Sequence, residues 1–402
     1  MCGCNSNGAK EKRARMYSIF FLMAILGLIF HRSKVVSFIV GLYIIILASL
    51  NSNNPDYHSY LLIYNNPATA QEEFGFRFLC TLGNKLGMSY DVFHFIIIII
   101  GFYFLFKGVY YLRKRVSTRF DNIFLVSYMF FPLMNDVVLV RSFLSACLIL
   151  YSLHFLYDNK YIKYIVVVLL ATTIHVSSLF FLILLLKSRV KREDYYGENQ
   201  ELSDEAIIQN RKYRRHTVLI FILVFVTVII LLRSNVPQAL MGNAGFNTLK
   251  IELWLSGNTI TLRKIIFCTI LHLVNFAVFF FVRRYNLKNN SASNTNDFIK
   301  FENILFVINC AMLINIILTV YSDQFLRLLG IGVMINSIYY MIIIGKERHQ
   351  LRRIALLFCS ITPAVLLFVL RMFVYQTPTG QVYFDYIFKE IIDNNFIFQI
   401  FS

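Results

Sequence analysis

FIIIIIGFYFLF, residues 95–106, contains no charged side chain and no alternation of apolar with polar positions. Val218–Leu232 and Ile354–Val374 read the same way, almost free of charge. A helix needs roughly 20 mainly apolar residues to cross a ~30 Å hydrocarbon core. Backbone amides find no water there, so only helices and closed barrels span it. Barrel strands alternate apolar with polar residues, and these runs do not. The chain therefore reads as an all-α, polytopic integral membrane protein.

Working outward from residues 95–106, similar blocks recur at roughly 16–31, 35–50, 90–112, 122–134, 137–157, 161–187, 216–233, 263–282, 299–320, 328–345 and 353–374. The expectation is about 10–12 transmembrane helices, some of them broken or re-entrant, in one membrane-embedded domain over residues 1–402. Composition agrees: 57% of the 402 residues are hydrophobic and 15% charged, where a soluble domain is nearer a quarter charged. The formal net charge of +17 does not point to nucleic acid, because Lys and Arg gather in the short segments between apolar blocks, as the positive-inside rule describes.

Those basic segments set an expected topology. Arg113, Lys114, Arg115 and Arg119 mark one cytoplasmic loop, and the basic stretch 188–215 marks the largest. Arg283, Arg284 and Lys288 mark a third, and Lys346, Arg348, Arg352 and Arg353 a fourth. Residues 51–89, 234–262, 321–327 and the tail after Val374 then face outward. The first half does not alternate cleanly. Either 161–187 is a broken, re-entrant pair near His175, or one basic loop violates the rule. Lys10, Lys12, Arg13 and Arg15 would place the N-terminus inside, whereas the alternation places it outside. Pro132, followed by Asn135 and Asp136, predicts a hairpin with a polar turn.

Ionisable residues inside apolar blocks are costly, at least ~2.5–3.5 kcal/mol each at mid-membrane, and so direct attention to function. Arg141 lies in LVRSFLSACLILYSL beside the Pro132 break. A guanidinium binds phosphate oxygens through two parallel bonds; the plainer reading is an interfacial arginine paired with Asp136. His175 lies in LLATTIHVSSLFFL among Thr172, Thr173, Ser177 and Ser178. It is a candidate acid or base, against a hydrogen-bonded core histidine. Arg327 in YSDQFLRLLG is a second candidate phosphate ligand, against an ion pair with Asp323.

The segment NSNNPDYHSYLLIYNN supplies Asp56, Tyr57, Tyr60 and Tyr64, and EEFGFRFL adds Glu73 and Arg77. Carboxylates among spaced aromatics suit sugar rings; an interfacial aromatic belt is the rival reading. Phe74, Phe78, Leu82 and Leu86 recur at helical spacing and predict an amphipathic helix on the membrane surface. His272, Asn275, Asn309, Asn315 and Asn336 read as contacts between helices, and Arg371 as a further outward-facing cation. None of the seven cysteines falls in a metal-ligand spacing, and neither a P-loop nor a GxGxxG is present.

From about Asn51 to Arg327 the chain resembles the EpsG family, a branch of the Wzy-type polysaccharide polymerases. The resemblance rests on DYHSY, EEFGFRFL with Glu73 and Gly75, Arg141 ahead of Ser145 and Ala146, the DNKYIKY turn, and ATTIHVSS with His175. Asn54-Pro55 and Ser142 depart from the family's usual pattern. The resemblance implies a glycosyltransferase of the bacterial cytoplasmic membrane, joining undecaprenyl-diphosphate-linked oligosaccharides on the outer face. It implies no metal or other cofactor, donor and acceptor lipid-linked oligosaccharides as partners within membrane lipid, and a chain-length regulator as a further partner class. In that reading Arg141 and Arg327 hold the diphosphate, and His175, with Asp56 or Glu73 behind it, is the base. Tyr57, Tyr60 and Arg77 line the sugar path. A membrane acyltransferase, which also uses a buried histidine, and a flippase or transporter of lipid-linked sugars are the rival classes.

Overall fold

The computed structural model describes residues 6–51, 54–116, 121–186, 262–289, 296–321, 325–374 and 381–395, with a few positions between 212 and 223. The expected span 216–233 and most of the basic stretch 188–215 lie outside the described residues, as do Asp323 and the 290–295 loop.

The described chain is helical throughout, its one β-type contact being an isolated bridge between Asn51 and Asn395. The helices are α1 (Ser6–Ile29), α2 (Lys34–Ser49), α3 (Tyr57–Asn65), α4 (Phe74–Lys85), α5 (Tyr90–Val116), α6 (Asp121–Phe130), α7 (Leu133–Val138), α8 (Val140–Tyr157) and α9 (Tyr161–Ile174). A 3-10 segment follows over Val176–Leu186. Then come α10 (Leu262–Asn289), α11 (Asn296–Tyr321), α12 (Leu326–Lys346) and α13 (Gln350–Val369), a π-helical turn at Leu370–Val374, and a short closing helix, α14 (Lys389–Asp393). Among the described residues, six stretches are long and apolar enough to cross a membrane: those of α5, α8, α10, α11, α12 and the joined α13–π segment. Four shorter apolar helical segments accompany them. The protein is thus an all-α, multi-pass membrane protein.

Hydropathy and position within the bundle diverge in an instructive way. The α12 span has a mean hydropathy of 1.9 and is 94% enclosed, whereas the α10 span reaches 2.5 and is only 33% enclosed. The central helix can carry Asn336 and Ser337 because protein, not lipid, surrounds it. The peripheral helix must satisfy lipid with its outer face, and Ile266, Ile270 and Leu273 are accordingly exposed.

Packing settles the path of the first half. A side chain at Gly101 would meet the ring of Phe143, a Cβ at Gly108 would lie 2.9 Å from the backbone of Tyr151, and Tyr111 stacks on His154 at 4.7 Å. All three pairings advance in the same direction, so α5 and α8 run parallel, and α6 with α7 must carry the chain back between them. The chain thus reverses at residues 132–139, as the expected hairpin requires, although its first arm packs mainly on helices other than α8. That arm, α6, packs on α1, α2, α12 and α13. Asn135 and Asp136 are buried within the reversal and form no solvated turn.

The segment 161–187 is the broken pair. Helix α9 rises, stops at His175, and the 3-10 segment descends against it, with Tyr164 donating to the carbonyl of Phe181 at 2.5 Å. At ~1.5 Å per α-helical residue and ~2.0 Å per 3-10 residue, both arms reach roughly 20 Å. The stretched 3-10 winding lets 11 residues match the 14 of α9. This restores the alternation, bringing the chain to Leu186 at the level where α9 began.

The basic segments converge on one end. Asn122, at the start of α6, donates to the carbonyl of Phe30 at 2.7 Å in the α1–α2 turn, where His31 lies in the field of Arg32 and Arg353. Arg283 pairs with Glu302 at 3.5 Å, and Tyr285 bonds Glu347 at the same end. Helix α1 runs the other way: Tyr17 packs on Phe384 and Phe388 near the closing helix. The start of α1 is thus at the end opposite the basic loops, despite Lys10, Lys12, Arg13 and Arg15. The same opposite end carries α3, α4, the His175 break and the first turns of α8 and α12.

Candidate active site

Four of the predicted residues meet at that opposite end. Glu73 occupies the N-cap position of α4 with extended backbone, yet its carboxylate makes no cap bond to its own helix. Both oxygens are committed elsewhere. Oε2 accepts from Arg141 Nη1. Oε1 lies 3.3 Å from His175 Nδ1 and accepts from the backbone N–H of Val176 at 3.2 Å. On the far side of the ring, Arg327 Nη1 lies 3.2 Å from His175 Nε2.

A guanidinium can only donate, so Nε2 accepts from Arg327 and carries no proton. The neutral ring then holds its proton on Nδ1 and donates it to Glu73. Carboxylate, imidazole and guanidinium thus form one chain in which the tautomer is fixed by its neighbours.

Local sequence explains each placement. His175 ends α9 because it adopts extended backbone, φ −151° and ψ 116°, and so stands at the apex of the broken pair. Glu73 reaches it because residue 75 is glycine: a Cβ there would lie 2.3 Å from Thr173 Oγ1 and 2.8 Å from the Thr173 carbonyl. Arg141 and Arg327 are each the second residue of a helix, α8 and α12. Helix N-termini carry partial positive charge, so two cations and two positive helix ends are held together at one place. Arg141 lies 5.9 Å from the ring centre of Tyr60 and 5.8 Å from that of Phe76, and its Nε is buried without a hydrogen-bond partner.

Asp56, just before α3, completes the centre. Its carboxyl is pushed above the ordinary range by burial, an effect opposed by the fields of Arg327 and Arg141. Glu73 moves the other way. Burial would raise it, but the bond from His175 and the charge of Arg141 prevail and bring it down to about 2. Glu73 is thus a fixed anion and a poor proton acceptor, whereas the Nε2 lone pair of His175 becomes available once Arg327 is drawn to another anion.

The structure does not gather every predicted residue here. Tyr57 turns away from the cluster and donates to Asp91 at 2.6 Å. Arg77 does not join the cluster; among the described residues its Nε is buried without a hydrogen bond. Of the hydroxyls near His175, those of Thr172 and Thr173 bond back to Val168 and Leu170 of their own helix. Asp136 accepts from Tyr128 at 2.9 Å and does not pair with Arg141, whose carboxylate partner is Glu73.

Toward the far end of the chain, sequence reasoning marks Arg371 only as a further outward-facing cation. Arg371 sits in the π-helical turn after α13, 4.1 Å from the ring centre of Tyr383, and contributes to the field at Arg327. Its position as the lone cation in an apolar run was the available signal.

Fold and site together define a polytopic membrane protein with an arginine–carboxylate–histidine centre at the end of the bundle opposite its basic loops. The chain matches the EpsG family over residues 34–388 and belongs to it; EpsG proteins are Wzy-like polysaccharide polymerases. Comparison with curated proteins and with solved structures gives no match.

Proposed function

We propose that this polymerase joins undecaprenyl-diphosphate-linked oligosaccharide repeat units on the outer face of the bacterial cytoplasmic membrane. The observation that carries the reading is the Glu73–His175–Arg327 chain beside Arg141, placed at the end of the bundle away from the basic loops. The positive-inside rule assigns the basic end to the cytoplasm, which puts the centre at the level of outer-leaflet headgroups.

In this mechanism Arg141 and Arg327 bind the donor's diphosphate and stabilise the charge that builds on it as it leaves. Arg327, on engaging a phosphate, releases His175 Nε2. The acceptor hydroxyl attacks the anomeric carbon, its proton passes to Nε2, and the bond from that carbon to the diphosphate oxygen breaks. Glu73 holds the Nδ1–H and stabilises the imidazolium, a positioning role. Asp56 is the second candidate base, and Tyr60 lines the donor side. The placement of His175 away from the basic loops favours this reading over an acyltransferase fed from the cytoplasm.

The test is a gel of surface polysaccharide from a deletion strain complemented with wild type or Arg141→Ala. Wild type restores long polymer; Arg141→Ala, inserted at normal levels, leaves lipid carriers bearing single repeats. Normal polymer from Arg141→Ala would remove the phosphate-clamp role. Unchanged chain length with lost acyl groups in the deletion strain would point to the acyltransferase instead.

A further inference from the structure

At the junction of α2 and α5 lies a cavity of about 360 Å3 lined by Ser49, Leu50, Asn51, Asp91, Val92, His94 and Phe95. One water needs only ~10–15 Å3 of such space, and small-molecule sites begin near ~300 Å3. The cavity lies where α2 ends and α5 begins, at the same end of the bundle as the reaction centre.

Its polar lining has unused bonding capacity. Asn51 spends its amide N–H on the carbonyl of Ile391 at 3.0 Å, while its Oδ1 is buried with no hydrogen bond. His94 is only 2% exposed, and its Nε2 is buried without a partner. Asp91 accepts from Tyr57 through Oδ1; among the described residues it has no ion pair. Buried polar atoms left unpaired are rare, and each asks for an explanation. Phe95 and Leu50 supply apolar surface beside them.

The charge pattern selects the chemistry of an occupant. An unpaired carboxylate repels phosphate, and no Lys or Arg lines the cavity. Carboxylate, amide oxygen and imidazole next to an aromatic ring suit a compact ligand rich in hydroxyls and carrying an apolar face. We propose that this cavity is a saccharide subsite, which takes a sugar of the repeat unit while the diphosphate is held by the arginines of the reaction centre. The inference rests on the polymerase reading for the identity of the sugar. It also gives Tyr57 a place: its hydroxyl fixes Asp91, its ring packs against Tyr90 at 5.0 Å, and one turn along the same helix Tyr60 faces Arg141.

The probe is the free oligosaccharide of one repeat, cleaved from its lipid carrier by mild acid, presented to the purified full-length protein in lipid nanodiscs. Binding is read by saturation-transfer NMR and calorimetry, and polymerisation of the intact lipid-linked repeat is followed in parallel. Asp91→Asn, which keeps the side chain's shape, should weaken oligosaccharide binding at least tenfold. It should raise KM for the lipid-linked repeat by a similar factor, with kcat within twofold of wild type. His94→Gln provides a second variant, and Arg141→Ala should still bind the free oligosaccharide while losing turnover.

If wild type polymerises but Asp91→Asn and His94→Gln bind the oligosaccharide within twofold of it, the subsite is wrong and the polymerase stands. A wild-type protein that polymerises and binds no free oligosaccharide overturns the subsite equally. If wild type fails to polymerise yet binds the sugar in an Asp91-dependent way, the subsite stands and the polymerase reading falls.

Discussion

Among the described residues, two of the polar clusters inside this apolar bundle are built on opposite principles. In the interior, Asn275, Asn309 and Asn336 of α10, α11 and α12 bond one another: Asn309 donates to Asn336 at 2.8 Å, and Asn336 donates to Asn309 at 2.9 Å and to Asn275 at 3.1 Å. Nearby, Asn315 lies 3.1 Å from His272 Nε2 and donates to the carbonyl of Phe325 at 2.9 Å. At the end away from the basic loops, Glu73, Arg141, His175 and Arg327 also bond one another, but they are charged, and Asp56 stands in their field without closing a pair. The asparagine cluster is neutral and spends its bonds on itself. The ionic cluster carries two cations on two helix N-termini and a histidine lone pair that only a guanidinium covers. Polar groups in a membrane protein can join helices or await a ligand; net charge and unused capacity separate the two.

The sharpest way to break this contrast is to truncate both clusters. His175→Ala should lower polymerisation by about 10²–10⁴, the usual contribution of a general base, while leaving the thermal melting of the detergent-solubilised protein near wild type. Asn336→Leu should do the reverse, with turnover retained in the folded fraction and melting lowered by the loss of interhelical bonds worth ~0.6–2 kcal/mol. A stability loss from His175→Ala with turnover preserved would reduce the ionic cluster to a second joint.

Gly75→Ala probes how the ionic cluster is assembled. The added methyl cannot fit against Thr173 without moving α4, so Glu73 should retreat from His175 and activity fall by about tenfold or more, since small misplacements at a reacting centre cost on the order of 10²-fold. Normal activity in Gly75→Ala would show that the Glu73–His175 contact is dispensable.

A smaller effect concerns pH. Glu73 is held at about 2 from an ordinary value of 4.5. A depressed carboxylate contributes stability that is fully present above the unfolded value and lost as pH falls toward the folded one. Between pH 6 and 8 the contribution of Glu73 to melting should therefore be fully present and independent of pH, and melting should decline below about 4.5. In Glu73→Gln that acid limb should be shallower; an unchanged limb would mean the carboxylate is not held as described.

How much of this was legible in the sequence depended on range. The spans followed from local apolar runs, and the break at His175 from a mismatch between loop charge and crossing number. The stripe Phe74, Phe78, Leu82 and Leu86 did mark the outer face of α4: all four are exposed, while Phe76, Cys80 and Gly83 are buried. The site residues were recognisable singly, because a charge in an apolar block is conspicuous. Their pairing was not. Glu73 meets Arg141 across 68 positions and His175 across 102, and His175 meets Arg327 across 152. Asp136, five residues from Arg141, looked like its partner but is turned to Tyr128. Nothing local distinguishes the two carboxylates; the helix directions do. The cavity was invisible for the same reason, since Asn51 and His94 converge only where the end of α2 meets the start of α5.

The most direct test of the ionic cluster as the reaction centre is polymerisation by purified protein in proteoliposomes supplied with the lipid-diphosphate-linked repeat. Wild type and the folded fraction of Asn336→Leu should both build a ladder of products, and Arg327→Ala should build none, or less by about 10²–10³. A ladder formed by Arg327→Ala at the wild-type rate would contradict the account.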